Sequence, residues 1–338
     1  MSLQVVVTGA TGNVGTSVIQ ALAEDERVGE IVGIARRRPS WRAPKTRWVQ
    51  ADVARDPLDF TGADVVIHLA WLIQPSRDDE ELRRVNVDGS RRVFEAAAAA
   101  GVGALVHASS VGVYSPGPKD RPVDESWPRD GVPSLFYSRH KVEAERILDE
   151  FEGRGMRIVR LRPGLIFKRE AGPEIRRLFA GPFVPASLLP LLPKLPLPDQ
   201  LVVQAVHADD VGEAYRLAAL SGHASGAYNI AAGPVLRPPH PVKIPPRVIH
   251  TAADLAFRAR LTPVPPGWAD LGLSVPIMDI THAREHLGWT PTVSATDALK
   301  DLVAGMSDPT GMDTPPLRAR AGGPLRVREV LTGLGRRT

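Results

Sequence analysis

Short apolar runs alternate with amphipathic stretches over the first half of the chain. The first run, residues 3–7, ends at a glycine-rich turn, and apolar residues then recur at helical spacing at Val14, Val18, Ile19 and Leu22. Further runs of strand length lie at residues 31–35, 48–51, 65–69, 104–108 and 157–161, and helices are expected over 80–100 and 137–151. Because strands that alternate with helices form parallel pairs, the pattern predicts an α/β fold with a parallel, doubly wound sheet.

The second half of the chain is less regular. Residues 171–200 carry many prolines and leucines, most densely at 188–198. Since proline blocks a continuous helix, we expect this stretch to form an irregular, partly apolar lid or substrate wall. A strand is expected at 201–206, a helix at 212–220 with an Asp at its N-cap, and another strand at 228–232.

The glycine-rich turn has the spacing of a dinucleotide-binding site. Gly9 permits the tight turn, Gly12 lets a pyrophosphate approach the backbone, and Gly15 allows close packing of the following helix. The free N–H groups at the start of that helix attract an anion. We expect a Rossmann-type sheet here, with these cofactor-binding residues in the turn: Gly9, Thr11, Gly12, Asn13, Val14 and Gly15.

Tyr137 and Lys141 are the candidate catalytic pair. Residues four apart on a helix lie on one face, so the Lys141 ammonium is expected near the phenol, where it would lower the pKa of Tyr137. Tyr137 would then act as a general acid or base near neutral pH. Ser110 would supply a hydroxyl that holds the substrate oxygen on which charge develops.

Arg36 and Arg37 bear on the choice of cofactor. An acidic residue just past the second strand would bind the ribose 2′-OH of NAD, whereas arginine accommodates the 2′-phosphate of NADP. The sequence has Ala35 followed by Arg36 and Arg37, which can pair with a phosphate bidentately. We therefore expect NADP (NADPH), with NAD less likely.

These motifs together resemble the extended branch of the short-chain dehydrogenase/reductase superfamily, which includes nucleotide-sugar epimerases, dehydratases and carbonyl reductases. The order and spacing agree over about residues 1–300, from the glycine turn through Ser110, Tyr137 and Lys141 to Arg162-Pro163. The resemblance implies that Ser110, not Ser109, is the functional serine, that residues 279–289 form a closing helix, and that the protein is a homodimer.

The resemblance also assigns roles to further residues. It places Asp52 and Val53 at the adenine, places Leu69, Ala70 and Trp71 beside the nicotinamide ribose, and implies a structural and proton-relay role for Asn86. Tyr137, Lys141 and Pro163 also fall in the implied cofactor site. We expect a cofactor-binding domain at 1–165 with contributions from 201–232, a substrate-binding part at 166–200 and 233–306, and a Pro/Gly/Arg-rich tail at 307–338 that is loose by default.

Composition narrows the remaining choices. The 338 residues are 43% hydrophobic, which suits a packed core, and the absence of cysteine excludes disulfides and thiolate metal sites. A net charge of +4, with no basic helix and no long apolar segment, leads us to expect a cytoplasmic protein without nucleic-acid or membrane partners. His282 and His286 lie one helical turn apart, but without an evident third ligand we expect surface histidines and no metal. His107, inside a strand, is expected to be a satisfied core or near-site group and not a base.

The favoured function is NADPH-dependent reduction of a ketone or aldehyde on a small or partly apolar organic substrate. The alternative is an NAD(P)-dependent epimerase or dehydratase acting on a nucleotide sugar, although Arg162-Pro-Gly-Leu-Ile-Phe167 lacks a pattern common in those enzymes. A second alternative is a non-catalytic NADP-binding regulator.

Overall fold

Seven parallel strands form the central sheet of the computed structural model, which describes residues 2–74, 79–180, 196–262, 264–307 and 311–318. The strand order is β11-β7-β5-β4-β1-β2-β3, the doubly wound arrangement that the sequence predicts. The strands of the described residues are β1 Leu3–Thr8, β2 Val28–Ala35, β3 Thr46–Gln50, β4 Val65–His68, β5 Ala104–Ala108, β6 Pro122–Val123, β7 Arg157–Pro163, β8 Leu165–Phe167, β9 Leu197–Pro198, β10 Val203–His207, β11 Gly226–Ile230, β12 Ala232–Leu236, β13 Pro241–Val242 and β14 Ile277–Met278.

Helices cover both faces of this sheet. In the described residues they are α1 Asn13–Glu24, α2 Asp79–Arg83, α3 Gly89–Ala99, α4 Phe136–Asp149, α5 Gly172–Ile175, α6 Ala208–Leu220, α7 Pro246–Arg258, α8 Gly267–Ser274, α9 Thr281–His286 and α10 Ala295–Ser307. None of the helices in the described residues has both the length and the apolar character needed to cross a bilayer.

Alternate residues of β1 divide the core into two layers. Val5 and Val7 point to the layer that contains α1 and α6, while Val6 points to the layer that contains α3 and α4. All three valines are buried. Burial on both faces explains why the central strands are continuous apolar runs and not alternating ones.

Several element boundaries differ from the sequence-based prediction. The helix expected at 80–100 is two α-helices, α2 and α3, joined by a π-helical turn at Arg84–Asp88. The helix expected at 212–220 begins earlier, at Ala208, and its N-cap is His207, whose ring accepts from the Asp209 N–H, so the expected Asp cap is wrong. The closing helix is only the six residues of α9.

The smaller part of the molecule lies beyond β7. A three-stranded sheet pairs β10 with β8 and β12, and β9 pairs with β13. Half of the expected Leu/Pro-rich wall, residues 181–195, lies outside the described residues.

The tail is not loose throughout. In residues 311–318, Thr314 and Leu317 are buried, and the Asp313 carbonyl accepts from the Trp41 N–H at 3.1 Å. This short piece of the tail therefore packs against the loop that follows β2; residues 319–338 lie outside the described part of the chain.

Candidate active site

The carboxyl ends of β1, β4 and β5 bring the predicted site residues to one edge of the sheet. Gly9 follows β1 with φ +70°, a conformation that favours glycine, and a Cβ there would lie 2.6 Å from the Ala70 backbone nitrogen. The Gly12 N–H donates to the Gly9 carbonyl at 3.1 Å, which closes the turn. The glycines thus let the first turn, the segment after β4 and α1 approach one another closely.

The start of α1 has the features of an anion site. A Cβ at Gly12 would meet only the Gly9 carbonyl oxygen, at 3.4 Å, so the space in front of this residue is otherwise open. Among the described residues, no side chain caps α1. Asn13 Oδ1 is buried without a hydrogen-bond partner in the described structure. An open space, uncapped N–H groups and an orphaned polar atom fit a dinucleotide pyrophosphate.

The end of β2 is where the sequence places the 2′-phosphate contact. Ala35 is buried at the last position of the strand, and Arg36 and Arg37 follow it as exposed residues. Asp52 and Val53 come just after the neighbouring strand β3; Val53 is buried, and Asp52 accepts from the Ala54 N–H at 3.0 Å. Arg36 and Arg37 therefore follow one strand, and Asp52 and Val53 follow the strand next to it in the sheet.

Ser110 and Tyr137 lie close together. Ser110 follows β5 and accepts from the Gly112 N–H at 3.0 Å, which fixes its side chain. Tyr137 lies near the start of α4, and a Cβ at Gly112 would lie 3.1 Å from its ring and 3.5 Å from Ser110 Oγ, so the two side chains meet over Gly112. Burial raises the pKa of Tyr137, and the nearby Ser110 hydroxyl offsets only part of that rise.

Lys141 does not lower the pKa of Tyr137 in this arrangement, so that expectation is wrong. The Lys141 ammonium donates to the Ala108 carbonyl and lies 3.5 Å from the centre of the Trp71 ring, but 5.8 Å from the Tyr137 ring. Burial lowers the pKa of Lys141 well below its usual range, against the raising effect of Glu145. The ammonium is thus directed at the carbonyl and the indole instead of the phenol.

Two tryptophan rings flank Tyr137. The Trp71 ring lies edge-on to Tyr137 at 6.3 Å, and the Trp268 ring of α8 lies 5.2 Å away, tilted by 34°. All three rings are partly exposed, and Trp71 Nε1 has no hydrogen-bond partner among the described residues. The Tyr137 ring is therefore bordered on two sides by aromatic rings.

In the described structure, Asn86 is not hydrogen-bonded to Ser110 or Tyr137 but lies behind the Trp71 segment. Its side-chain nitrogen donates to the Leu72 carbonyl at 2.9 Å, and its oxygen accepts from the Leu72 N–H at 2.7 Å. Both polar atoms therefore hold the backbone next to Trp71. This geometry supports the expected structural role of Asn86. It shows no contact through which Asn86 would relay a proton to Tyr137 or Ser110 among the described residues.

Leu69 and Ala70 lie between β4 and Trp71, where the Leu69 N–H donates to the Thr8 carbonyl at 3.1 Å. Pro163 ends β7 and is buried, paired in register with Ile230. Leu69 and Ala70 thus line the edge of the glycine turn, while Pro163 is part of the sheet.

A buried ion pair beneath the site was not found from the sequence. Glu145, one helical turn beyond Lys141, accepts from Arg162 Nε at 2.9 Å and Nη2 at 2.7 Å, and it also accepts from the Ser109 hydroxyl. Its side chain is fully buried. The i, i+4, i+8 spacing of Tyr137, Lys141 and Glu145 was the available signal. The Ser109 hydroxyl donates to Glu145, so of the two serines it is Ser110 that lies beside Tyr137.

The histidines have packing contacts. The His286 ring nitrogen bonds the Tyr228 hydroxyl at 2.9 Å, and the His282 ring stacks on Tyr228 at 4.4 Å. His107 is buried against His68 at 5.6 Å, but neither of its ring nitrogens has a hydrogen-bond partner in the described structure, so it is not the satisfied group expected. Burial lowers the pKa of His107, which keeps the ring neutral. Within the described residues, no cluster of three or more His, Asp or Glu side chains is placed to hold a metal ion.

The sheet order, the glycine turn and the Ser110–Tyr137 contact define a Rossmann-type dehydrogenase-like site. The chain belongs to the NAD-dependent epimerase/dehydratase family, whose family model matches residues 5–231, and so to the extended short-chain dehydrogenase/reductases.

Three curated relatives show the range of this family. An uncharacterised protein of Mycobacterium tuberculosis is 29% identical over 320 residues, which are 92% of this chain, and the chain spans only 31% of that relative's length. UDP-glucose 4-epimerase of Mycolicibacterium smegmatis is 28% identical over 89% of this chain and 97% of its own. A farnesyl-dihydroquinoline-oxide ketoreductase of Stigmatella aurantiaca is 31% identical over 48% of this chain and 49% of its own.

Solved structures share the fold. UDP-glucuronic acid 4-epimerase of Bacillus cereus, solved with UDP-glucuronic acid and NAD, superposes with a TM-score of 0.63 at 18% identity, over 90% of this chain and 99% of that one. At this identity the likeness concerns the fold alone.

Proposed function

We propose that the protein is an NADPH-dependent carbonyl reductase acting on a partly apolar ketone or aldehyde. The observation that carries the proposal is the placement of Ser110 and Tyr137 together over Gly112, where a Cβ would lie 3.5 Å from Ser110 Oγ and 3.1 Å from the Tyr137 ring, with Lys141 one turn further along α4. Family membership makes NAD(P)-dependent redox chemistry the natural use of this site.

The side chains divide the work in the proposed reduction. The dinucleotide, when bound at the glycine turn, supplies the hydride. Ser110 orients the carbonyl oxygen, and the Tyr137 phenol donates a proton to that oxygen as negative charge develops on it. Because burial raises the pKa of Tyr137, the phenol holds its proton near neutral pH, which suits a general acid in the direction of reduction. Lys141, whose side-chain amine donates to the Ala108 carbonyl beside the site, would hold the nicotinamide ribose.

Two features favour a reductase with NADPH over a nucleotide-sugar epimerase. Arg36 and Arg37 follow β2, where a carboxylate would repel a 2′-phosphate. The Trp71 and Trp268 rings beside Tyr137 present an aromatic surface, which suits an apolar substrate more than a sugar. The ketoreductase relative supports this choice, whereas the coverage of the UDP-glucose 4-epimerase keeps the epimerase as the alternative.

The cofactor half of the proposal is tested by titrating the purified protein with NADPH and with NADH, followed by tryptophan fluorescence. We expect a preference for NADPH, and we expect Arg36→Ala to weaken NADPH binding by about 10-fold to 100-fold, the effect of losing a charged hydrogen bond. NADH binding and the control Arg38→Ala should change little. Equal affinity for both, or a preference for NADH, would overturn the 2′-phosphate assignment and favour the epimerase.

The catalytic half is tested by a screen of aliphatic and aromatic carbonyl compounds that follows NADPH oxidation. Tyr137→Phe should lower the rate by about 10²–10⁴-fold, the usual contribution of a general acid, without loss of NADPH affinity. If Tyr137→Phe reduces the carbonyl compounds as fast as the wild type, Tyr137 is not the general acid. If the wild type binds NADPH but reduces none of the compounds, the dinucleotide-binding regulator becomes the better assignment.

A further inference from the structure

One face of α7 has no protein partner in the described structure. This thirteen-residue helix contains no buried residue. Val248 and Leu255, seven positions apart and so on one face, are 56% and 62% exposed, and Ala252 between them is also exposed. Leu261, just beyond the helix, is 72% exposed. Four of the seven large exposed hydrophobic residues in the described chain lie within 242–261, so the apolar surface is concentrated here.

The opposite face of α7 is the one that holds the helix in place. The His250 ring bonds the Asp270 carboxylate of α8 at 2.9 Å, and α7 packs along α8. The exposed apolar face is therefore not required to close the core. A surface of this kind on a folded domain marks an interaction site.

Positive charge surrounds the same face. Residues 237–261 carry five Lys and Arg side chains and one acidic side chain, Asp254, which gives a net charge of +4, equal to that of the entire chain. The basic residues are Arg237, Lys243, Arg247, Arg258 and Arg260. Arg247 and Arg258 stand beside the apolar face, and both are exposed. A partner for this surface must accept apolar side chains and also carry negative charge.

We propose that residues 242–261, the α7 face, dock onto an anionic lipid surface. An amphipathic helix with an apolar stripe flanked by arginines lies in the interface of a membrane, with its cations at the headgroups. A second copy of the chain is a poorer partner, because two faces of charge +3 would repel each other. The proposal revises the expectation that the protein has no membrane partner, and it does not depend on the proposed reaction. It also places α8, whose Trp268 contacts Tyr137, directly behind the docked helix.

The test is co-sedimentation of the full chain with vesicles of phosphatidylcholine alone and of phosphatidylcholine mixed with phosphatidylglycerol. The wild type should bind the anionic vesicles, and added salt should weaken that binding. Arg247→Glu should bind about 30-fold more weakly, because it changes the charge near the surface by two units. Leu255→Glu should lose binding through its apolar contact. Leu299→Glu, at a residue that is 36% exposed on α10, is the matched control and should bind like the wild type.

Other outcomes would overturn the proposal. These are a wild type that binds neither vesicle, a Leu255→Glu variant that binds as tightly as the wild type, and a Leu299→Glu variant that loses binding equally. A dimer that Leu255→Glu dissociates in light scattering, without any lipid binding, would assign the face to self-association. Because Arg247, Leu255 and Leu299 are all exposed, circular dichroism should show the native fold in each of the three variants.

Discussion

Gly12 and Gly15 lie three residues apart in the first turn, yet a methyl group would have different effects at the two positions. A Cβ at Gly15 would stand 2.4 Å from the Gly9 carbonyl oxygen, which is backbone and cannot move aside cheaply. At Gly12 it would point mainly into open space. We expect Gly15→Ala to lower the free energy of unfolding by about 1–3 kcal/mol, as overpacking does, and Gly12→Ala to change it little. Urea denaturation measures both.

Cofactor binding should distinguish Gly12 from Gly15 in a second way. If the open space before Gly12 receives the pyrophosphate, Gly12→Ala should abolish measurable NADPH binding while the protein stays fully folded. Gly222→Ala is the matched control, since a Cβ there has no neighbour within 4 Å. Unchanged NADPH affinity in Gly12→Ala would place the cofactor elsewhere.

At the scale of elements, helix α4 is joined to strand β7 by the Glu145–Arg162 pair. Both side chains are almost completely buried, at 0% and 4% exposure. Removal of one partner leaves a buried charge unpaired, so Arg162→Leu should lower the free energy of unfolding by about 3–5 kcal/mol. The control is Arg91→Ala, which breaks the exposed Arg91–Glu150 pair between α3 and α4 and should cost about 0–1 kcal/mol. If both variants lose a similar free energy of unfolding, burial does not make the Glu145–Arg162 pair more important than the exposed pair.

The same pair predicts the pH dependence of stability. Burial acts to raise the pKa of Glu145, but the hydrogen bonds and charge of Arg162 outweigh it, and the pKa is lowered overall. A lowered folded-state pKa means that the stabilisation is complete above the unfolded-state pKa of about 4.3 and is lost as the pH falls through the folded-state value. In Arg162→Leu, burial is opposed only by the Ser109 hydrogen bond and the weaker effects of Arg129 and Arg160. The pKa of Glu145 should therefore rise, and this variant should gain relative stability as the pH is lowered from neutral. Chemical denaturation across this pH range compares the slopes.

At the scale of the whole molecule, the sequence predicts what is local and misses what depends on side-chain direction. The central strands fall within a few residues of the predicted runs because each is buried on both faces and therefore continuously apolar. The contact between Ser110 and Tyr137 follows from a strand end that meets a helix start. The rings of Trp71 and Trp268 at Tyr137 come from segments distant in sequence, and no periodic pattern marks them. The expected lowering of the Tyr137 pKa is wrong for the same reason. Burial raises this pKa, and the burial of Tyr137 depends on segments that are distant in sequence.

The return of residues 311–318 to the loop after β2 brings the tail next to the proposed cofactor site. The Asp313 carbonyl accepts from the Trp41 N–H and, at 3.3 Å, from the Ser40 hydroxyl, four residues beyond Arg36, and buried Leu317 anchors this segment. Leu317→Ala should loosen the loop and weaken NADPH binding by about 2-fold to 30-fold, the range of coupling energies of 0.5–2 kcal/mol. If the effect passes through Arg36, the double variant with Arg36→Ala should bind NADPH no more weakly than Arg36→Ala alone. Fluorescence titration of the four proteins decides this, and additive losses would show that the tail acts on the site by another route.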